Sequence, residues 1–231
     1  IKAAWRERLA DSIEYYKYIQ FIFFRQWNAI RDYAHVNGIK IVGDIPIFVA
    51  LDSADTWSHP ELFQLSEGCV PKAVAGVPPD AFSATGQLWG NPLYDWEYHR
   101  KTGYDWWILR IGYSYRLYDI VRVDHFRGFE AYFSIPYGDE TAVNGHWEKG
   151  PDFELFAAMK MKLGKKEMIA EDLGVITPPV RKMIKKCGYP GMKVLQFAFD
   201  SYDSEYLPHN YDKNCICLLY TSPSPRDPKT S

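Results

Sequence analysis

The stretch Asp119-Ile120-Val121-Arg122-Val123-Asp124-His125-Phe126-Arg127-Gly128 decides the fold. A short run of β-branched residues ends on a carboxylate, and a helical pattern over residues 105–117 feeds it. The same unit recurs upstream. Residues 4–37 read as helix, with Asp11 and Glu14 as a capping pair and Ile19, Phe23, Trp27, Ile30 and Ala34 on one face. Asn37-Gly38 stops that helix, and Ile39-Lys40-Ile41-Val42-Gly43 reads as a strand ending at Asp44. Downstream, a helix over 152–163 closes at Gly164, and Glu167-Met168-Ile169-Ala170 is a strand ending at Glu171. Thr177-Pro178 opens a fourth helix that Gly188 ends. Met192 to Phe199 reads as a fourth strand and Cys215 to Tyr220 as a fifth.

Helices alternating with short apolar strands predict a parallel sheet of βα units, an α/β fold. No glycine-rich dinucleotide turn follows any of the strands, so a (β/α)₈ TIM barrel is favoured over a doubly wound sheet. Five strands cannot close an eight-stranded barrel, so the expected fold is an incomplete one. The catalytic barrel region is assigned to residues 1–220. Residues 51–103 interrupt the rhythm and are rich in Pro, Gly, Trp and Asp. They are expected to form an excursion subdomain, inserted after the strand ending at Asp44 and laid over the barrel mouth.

Composition narrows the function. Lys plus Arg is 27 against 29 Asp plus Glu, a net charge of −2, which argues against a nucleic-acid or membrane partner. No apolar run approaches the length of a transmembrane span. Four scattered cysteines (Cys69, Cys187, Cys215, Cys217) fit neither a disulfide scaffold nor a zinc knuckle, and they suit a reducing, cytoplasmic compartment. The chain opens on Ile-Lys-Ala-Ala, which suggests a fragment. Aromatic residues make up 16%, either as a bulky core or as a site that stacks flat ligands.

Three consecutive predicted strands end in carboxylates: Asp44, Asp124 and Glu171. In a parallel barrel all three would stand on the C-terminal rim, where active sites of this architecture lie. Alternation along the strand puts Arg122 on the side of Asp124, where a cation holds the carboxylate ionised as a nucleophile requires. Glu171 precedes Asp172 in an apolar run, a setting that raises a carboxyl pKa and suits a proton donor. One ionised and one protonated carboxyl group can break a glycosidic bond. The same acids are equally compatible with binding a divalent metal.

The chain resembles the 4-α-glucanotransferases, also called amylomaltases or disproportionating enzymes, relatives of the α-amylase barrel enzymes. The likeness rests on Gly43-Asp44-Ile45-Pro46-Ile47-Phe48-Val49, the run Pro78 to Trp96, Arg122 to Gly128, Ala170 to Gly174 and Tyr189-Pro190-Gly191-Met192. Within the long run, Gln87-Leu88-Trp89-Gly90-Asn91-Pro92 is the most specific part. The resemblance implies that Asp124 is the nucleophile and Glu171 the general acid and then base. From their shared position at strand ends, the two are expected to face each other across the barrel mouth with carboxyl groups about 5–7 Å apart. It implies that Arg122 fixes Asp124, and that Asp44 and His125 bind hydroxyls of the sugar beside the cleaved bond. Asp80, Phe82, Gln87, Trp89 and Asn91 would bind glucan from the inserted loop, with Phe82 alone where some relatives carry a further aromatic at Ala81. Substrates would be α-1,4-glucans and maltooligosaccharides, with no metal and no organic cofactor, in the cytoplasm or, for a plant chain, the plastid stroma.

The resemblance also implies a third catalytic acid after a later strand, in a segment that this chain lacks. After Thr221 the sequence reads Ser-Pro-Ser-Pro-Arg-Asp-Pro-Lys-Thr-Ser, and residues 221–231 are expected to be a non-native tail in which Asp227 is no substitute. The chain is therefore expected to be a truncated, inactive piece. Two other readings stand beside it: a metal-dependent, enolase-type barrel lyase with Asp44, Asp124 and Glu171 as ligands, and a non-catalytic glucan-binding fragment.

Overall fold

The computed structural model describes residues 2–80, 83–199 and 201–218. Helices α1 (Lys2–Arg8) and α2 (Ala10–Val36) lead into strand β1 (Val42–Ile45). Then come α3 (Ala54–Ser58), β2 (Ala73–Val77), β3 (Gln87–Pro92), α4 (Trp96–Lys101), α5 (Asp105–Leu117) and β4 (Ile120–Val123). Strands β5 (Ala131–Pro136) and β6 (His146–Lys149) precede α6 (Phe153–Leu163), β7 (Met168–Ala170), α7 (Pro178–Cys187), β8 (Gly191–Val194) and β9 (Cys215–Leu218).

The βα reading of the sequence corresponds to a parallel sheet in the order β1-β4-β7. Its register pairs Asp44 with Arg122, Ile45 with Val123, Arg122 with Ile169 and Val123 with Ala170. Strands β8 and β9 form a second parallel pair, and the Ala170 amide donates to the Pro190 carbonyl at 2.9 Å, joining β7 to the entry of β8. Alternation explains the packing. Ile45, Val121, Val123, Met168 and Ala170 are buried in one core with Ile111, Leu155, Phe156, Met159, Val180 and Met183 of the covering helices. Each large apolar side chain so buried contributes about 2 kcal/mol of transfer free energy. The other face of the sheet carries Asp44 and Arg122. A Cβ at Gly43 would run into the Tyr118 ring, so only glycine lets that ring lie on β1.

Several boundaries differ from the sequence reading. Asp44 lies inside β1 rather than after it, in register with Arg122. The expected fourth strand stops at Val194, and Leu195–Phe199 coils into a 3-10 turn. A short apolar run does not by itself distinguish a strand from a helical turn. The first helix breaks at Leu9, and no side chain caps α2 there. None of the α2 residues is buried, and Ile19, Phe23 and Ile30 are exposed. Of the expected face Trp27 does pack, its Nε1 donating to the Leu117 carbonyl at 3.0 Å, and its partners are Phe24, which meets Tyr113, and Arg31, which donates to the Arg116 carbonyl. Apolar residues on several sides of α2 made the period ambiguous.

The inserted region builds an antiparallel sheet in the order β3-β2-β5-β6. Residues 131–149, beyond the expected limits 51–103, supply half of its strands. Val74, Phe133, Ile135 and Ala142 form its own small core. Sequence separation hid this pairing, because β2 and β5 meet only after β4 has been threaded between them. Phe82 and residues 219–231, including Asp227 and the end of the expected fifth strand, lie outside the described residues.

Most aromatic residues between 48 and 107 serve the core. The buried Tyr94 is surrounded by Phe48, Phe63, Trp96, His99, Trp106 and Trp107, with ring centroids 5.1–5.9 Å away. Its hydroxyl donates to the Ile47 carbonyl at 2.8 Å, as a buried phenol requires.

Candidate active site

Register puts the three acids together. Asp44 stands beside Arg122 on neighbouring strands, and Asp124 and Glu171 are the next residues after the last paired positions, Val123 and Ala170. In a parallel sheet, side chains in register share a face, so Arg122, Asp124 and Glu171 converge with Asp44 at one end. Asp124 and Glu171 thus stand side by side at the ends of neighbouring strands.

Arg122 organises one half of this group. Its Nη1 donates to both oxygens of Asp44 at 2.7 and 2.9 Å, and its Nη2 donates to Asp124 Oδ1 at 2.9 Å. Its Nε faces Met192 Sδ at 3.1 Å. The guanidinium is one-fifth exposed, while the Asp124 side chain is 47% exposed. Asp124 is therefore an open carboxylate held by a charge-assisted bond.

Glu171 is only 9% exposed. Its Oε2 accepts from the His125 amide and its Oε1 from the Leu173 amide, both at 2.8 Å. Burial pushes its carboxyl above the usual range and the Asp124 charge adds to the rise, while the two amides and Arg122 pull it back. The neighbouring Asp172 does not play the part that adjacency in sequence suggested. It turns to the base of β8, where its Oδ1 accepts from the Met192 amide at 2.7 Å. A Cβ at Gly191 would overlap that carboxyl, which explains the glycine in Tyr189-Pro190-Gly191-Met192.

His125 takes a left-handed backbone, φ 49°. That conformation turns the chain sharply after Asp124 and lets the His125 amide reach Glu171. Burial, and then Arg127, push its imidazole down to about 4, so it is neutral at neutral pH. Its buried Nε2 has no hydrogen-bond partner among the described residues.

The inserted sheet reaches this rim through β3. The Trp89 ring meets His125 edge-on at 4.9 Å and lies 6.3 Å from Phe48, and it remains 37% exposed. Trp89 Nε1 donates to Gln87 Oε1 at 3.0 Å, which orients both side chains. Asn91 differs: its Nδ2 donates to the Val49 carbonyl at 2.9 Å and anchors β3 to the loop after β1. Asp80 Oδ1 accepts from the Ser83 amide at 2.8 Å and shapes an exposed turn.

The sequence reading missed the backbone amides of His125 and Leu173 and the Met192 sulfur, because amide direction and cross-strand contacts carry no residue-type signal. The metal reading meets a specific obstacle: Asp44 and Asp124 are both engaged by the Arg122 guanidinium, which takes the place between them that a cation would need.

Comparison with known proteins gives the family. A family model described as 4-alpha-glucanotransferase matches residues 2–224. A Clostridium butyricum 4-alpha-glucanotransferase is 53% identical over 219 residues, covering 94% of this chain and 45% of that protein. A chloroplastic/amyloplastic 4-alpha-glucanotransferase of Solanum tuberosum is 48% identical, covering 94% of this chain and 38% of its own length. Among solved structures, an amylomaltase from Streptococcus agalactiae in complex with acarbose superimposes with a TM-score of 0.90 at 44% identity, over 93% of this chain and 44% of that one. The chain thus spans less than half the length of these relatives. With nearly all of its residues inside the family match, the protein belongs to the 4-alpha-glucanotransferase family.

Proposed function

We propose that this chain carries the acid pair of an enzyme that moves α-1,4-glucan segments between maltooligosaccharides by a retaining double displacement. The observation that carries the reading is two carboxyl groups at register-adjacent strand ends in opposite surroundings: Asp124 open and paired to Arg122, Glu171 enclosed and raised by burial. Neighbouring strands lie about 4.8 Å apart. That spacing suits the short separation, about 5–5.5 Å, of a nucleophile and acid that work without a water between them.

The steps follow from these roles. Glu171 protonates the glycosidic oxygen as Asp124 attacks the anomeric carbon, and the leaving glucan departs with a new hydroxyl. The resulting β-linked glycosyl–Asp124 ester is attacked by the 4-hydroxyl of an acceptor glucan, whose proton goes to Glu171. Two inversions give net retention. Arg122 orients Asp124, and Asp44 and His125 meet sugar hydroxyls. Trp89 and Gln87 supply a platform that favours an acceptor sugar over water. Asp80 and Asn91 shape the loop, Asn91 by anchoring it, and Phe82 is assigned to glucan binding on the resemblance alone. No metal or organic cofactor takes part.

On this reading the sheet is the central part of an incomplete (β/α)₈ barrel, with the antiparallel sheet as its lid. The 231-residue chain alone lacks the third carboxylate that the resemblance implies and does not turn over maltotriose. We place the reaction in the cytoplasm, or in the plastid for a plant chain. The test grafts residues 2–218 into the matching part of the Clostridium butyricum relative and follows maltotriose. Glucose and longer maltodextrins with retained α-configuration are expected, with none from the 231-residue chain. Turnover by the chain alone, or β-configured products, would refute the reading.

A further inference from the structure

Arg127 lies three residues beyond Asp124, outside the acid cluster, and none of the roles above uses it. It is 8% exposed. Its Nη1 donates to the Val175 carbonyl at 2.7 Å, and its guanidinium lies over the Trp147 ring at 3.9 Å from the centroid. Its Nε is buried without a partner among the described residues. These contacts join three parts of the molecule. Trp147 belongs to β6 of the antiparallel sheet and packs edge-on against Phe133 of β5 at 5.1 Å. Val175 ends the loop that starts at Glu171 and turns at Gly174, φ 83°. Arg127 itself follows His125, whose amide holds Glu171.

The start of the loop 171–175 is well tied: the Glu171 amide donates to the Val123 carbonyl and its carbonyl accepts from the Phe126 amide, both at 3.1 Å, its carboxylate takes the His125 amide, and Asp172 accepts from the Met192 amide. Beyond Leu173, whose amide turns back to Glu171, the bond from Arg127 to the Val175 carbonyl is the tie found among the described residues. Val175 is itself exposed, so its side chain gives the loop no apolar anchor. The far end of the loop is then held through Arg127.

We propose that Arg127 is a positioning residue: its guanidinium, clasped between the Val175 carbonyl and the Trp147 face, fixes the loop that aims Glu171 and couples that loop to the antiparallel sheet. The proposal rests on the acid role assigned to Glu171. It requires the planar fork of arginine, which can donate in its plane while its face stacks on an indole; a lysine ammonium cannot do both in this geometry.

The test has two arms. In the 231-residue chain, hydrogen exchange is read at individual amides. Arg127→Met is expected to speed exchange at His125 and Leu173 at least about tenfold, leaving Val123 and Ala170 in the strands unchanged. Trp147→Leu, at a partly exposed site that folding tolerates, does the same to a smaller degree. A uniform rise at all amides would mean general destabilisation, and no rise would mean that the loop needs no clamp; either overturns the proposal.

The second arm uses the graft in the Clostridium butyricum relative. Arg127→Met is expected to lower kcat about tenfold or more while KM for maltotriose changes less than about threefold, and Arg127→Lys does not restore it. The alkaline limb of the pH–rate profile shifts from its unmutated position, because loosening the loop changes both the burial that raises the Glu171 carboxyl and the amides that lower it. The other groups acting on Glu171 are Asp124 and Arg122 of the β4 end, with Tyr206 nearby from the segment after β8, and all stay in place in these variants. Rescue by lysine, or a change in KM alone, would overturn the clamp. An unmutated graft without transferase activity would sink the functional reading instead, while the exchange arm would still decide the clamp.

Discussion

The ends of β4 and β7 are adjacent strands of one sheet, each closing on a carboxylate, yet they build opposite environments. At β4, Asp124 is half exposed and tied to a guanidinium that also holds Asp44. At β7, Glu171 is enclosed and supported by amides instead of a cation. The difference teaches that residue type and register bring the acids together, whereas their division of labour comes from what surrounds each one. Asp172 makes the same point: its position next to Glu171 in sequence counts for little, because its side chain serves β8.

Changing the acids themselves has the largest expected effect. In the grafted enzyme, Asp124→Asn and Glu171→Gln should each lower maltotriose turnover by about 10³-fold or more. A donor whose leaving group needs no proton, such as a nitrophenyl glycoside, separates the two. It should restore formation of the covalent intermediate in Glu171→Gln and leave Asp124→Asn inactive. Equal rescue of both, seen in the burst of nitrophenol, would erase the assignment.

Removing the shared cation comes next. Arg122→Met keeps an unbranched apolar stem, removes the guanidinium, and leaves Asp44 and Asp124 facing each other without a counter-charge. Turnover should fall about 10- to 100-fold, the scale of a lost charge-assisted contact, while the urea midpoint moves little because the pair is partly solvated. A large stability loss with turnover intact would show Arg122 to be structural only.

The β7 side is sharpened by Gly191→Ala. The added methyl group meets the buried Asp172 carboxyl, so either Asp172 or β8 must shift. A loss of about 2 kcal/mol in urea denaturation is expected, as for other overpacked sites. Full stability in this variant would mean that Asp172 is not fixed where it caps β8.

The pH dependence of stability compares the buried groups directly. Burial holds His99 and His125 neutral down to about 4, whereas in the unfolded chain they protonate near 6.5. The unfolded state thus binds more protons between those values, and stability should fall as pH drops from about 6.5 to about 4. Glu171 works the other way. Its folded pKa is raised, so its contribution is lost as pH rises through that value. Urea midpoints across this range should show the histidine slope disappear in part for His125→Gln.

Much of the α/β scaffold was legible in the sequence. Helices over 105–117, 153–163 and 178–187 and strands ending near Asp44, Asp124 and Glu171 follow from local period and from glycine and proline punctuation. The antiparallel sheet was not legible as a unit, since β2 and β5 pair across more than fifty residues of intervening chain. The packing side of α2 was misread because its apolar residues do not form a single stripe. Asn91, chosen with Gln87 and Trp89 as a glucan contact, also donates its Nδ2 to the Val49 carbonyl, a bond between segments far apart in the chain that residue type alone does not reveal.

The sequence by itself determined that three acids would follow three short apolar strands, and that Arg122 would share the side of Asp124. Period-two alternation and strand length are local properties, so they are written into neighbouring residues. Only the tertiary structure decided which carboxyl group is enclosed and which is open. That outcome depends on a left-handed turn at His125, on amides aimed across from one strand end to another, and on Trp89 arriving from the inserted sheet. Burial and amide direction arise from contacts between residues far apart in the chain, and no single segment encodes them.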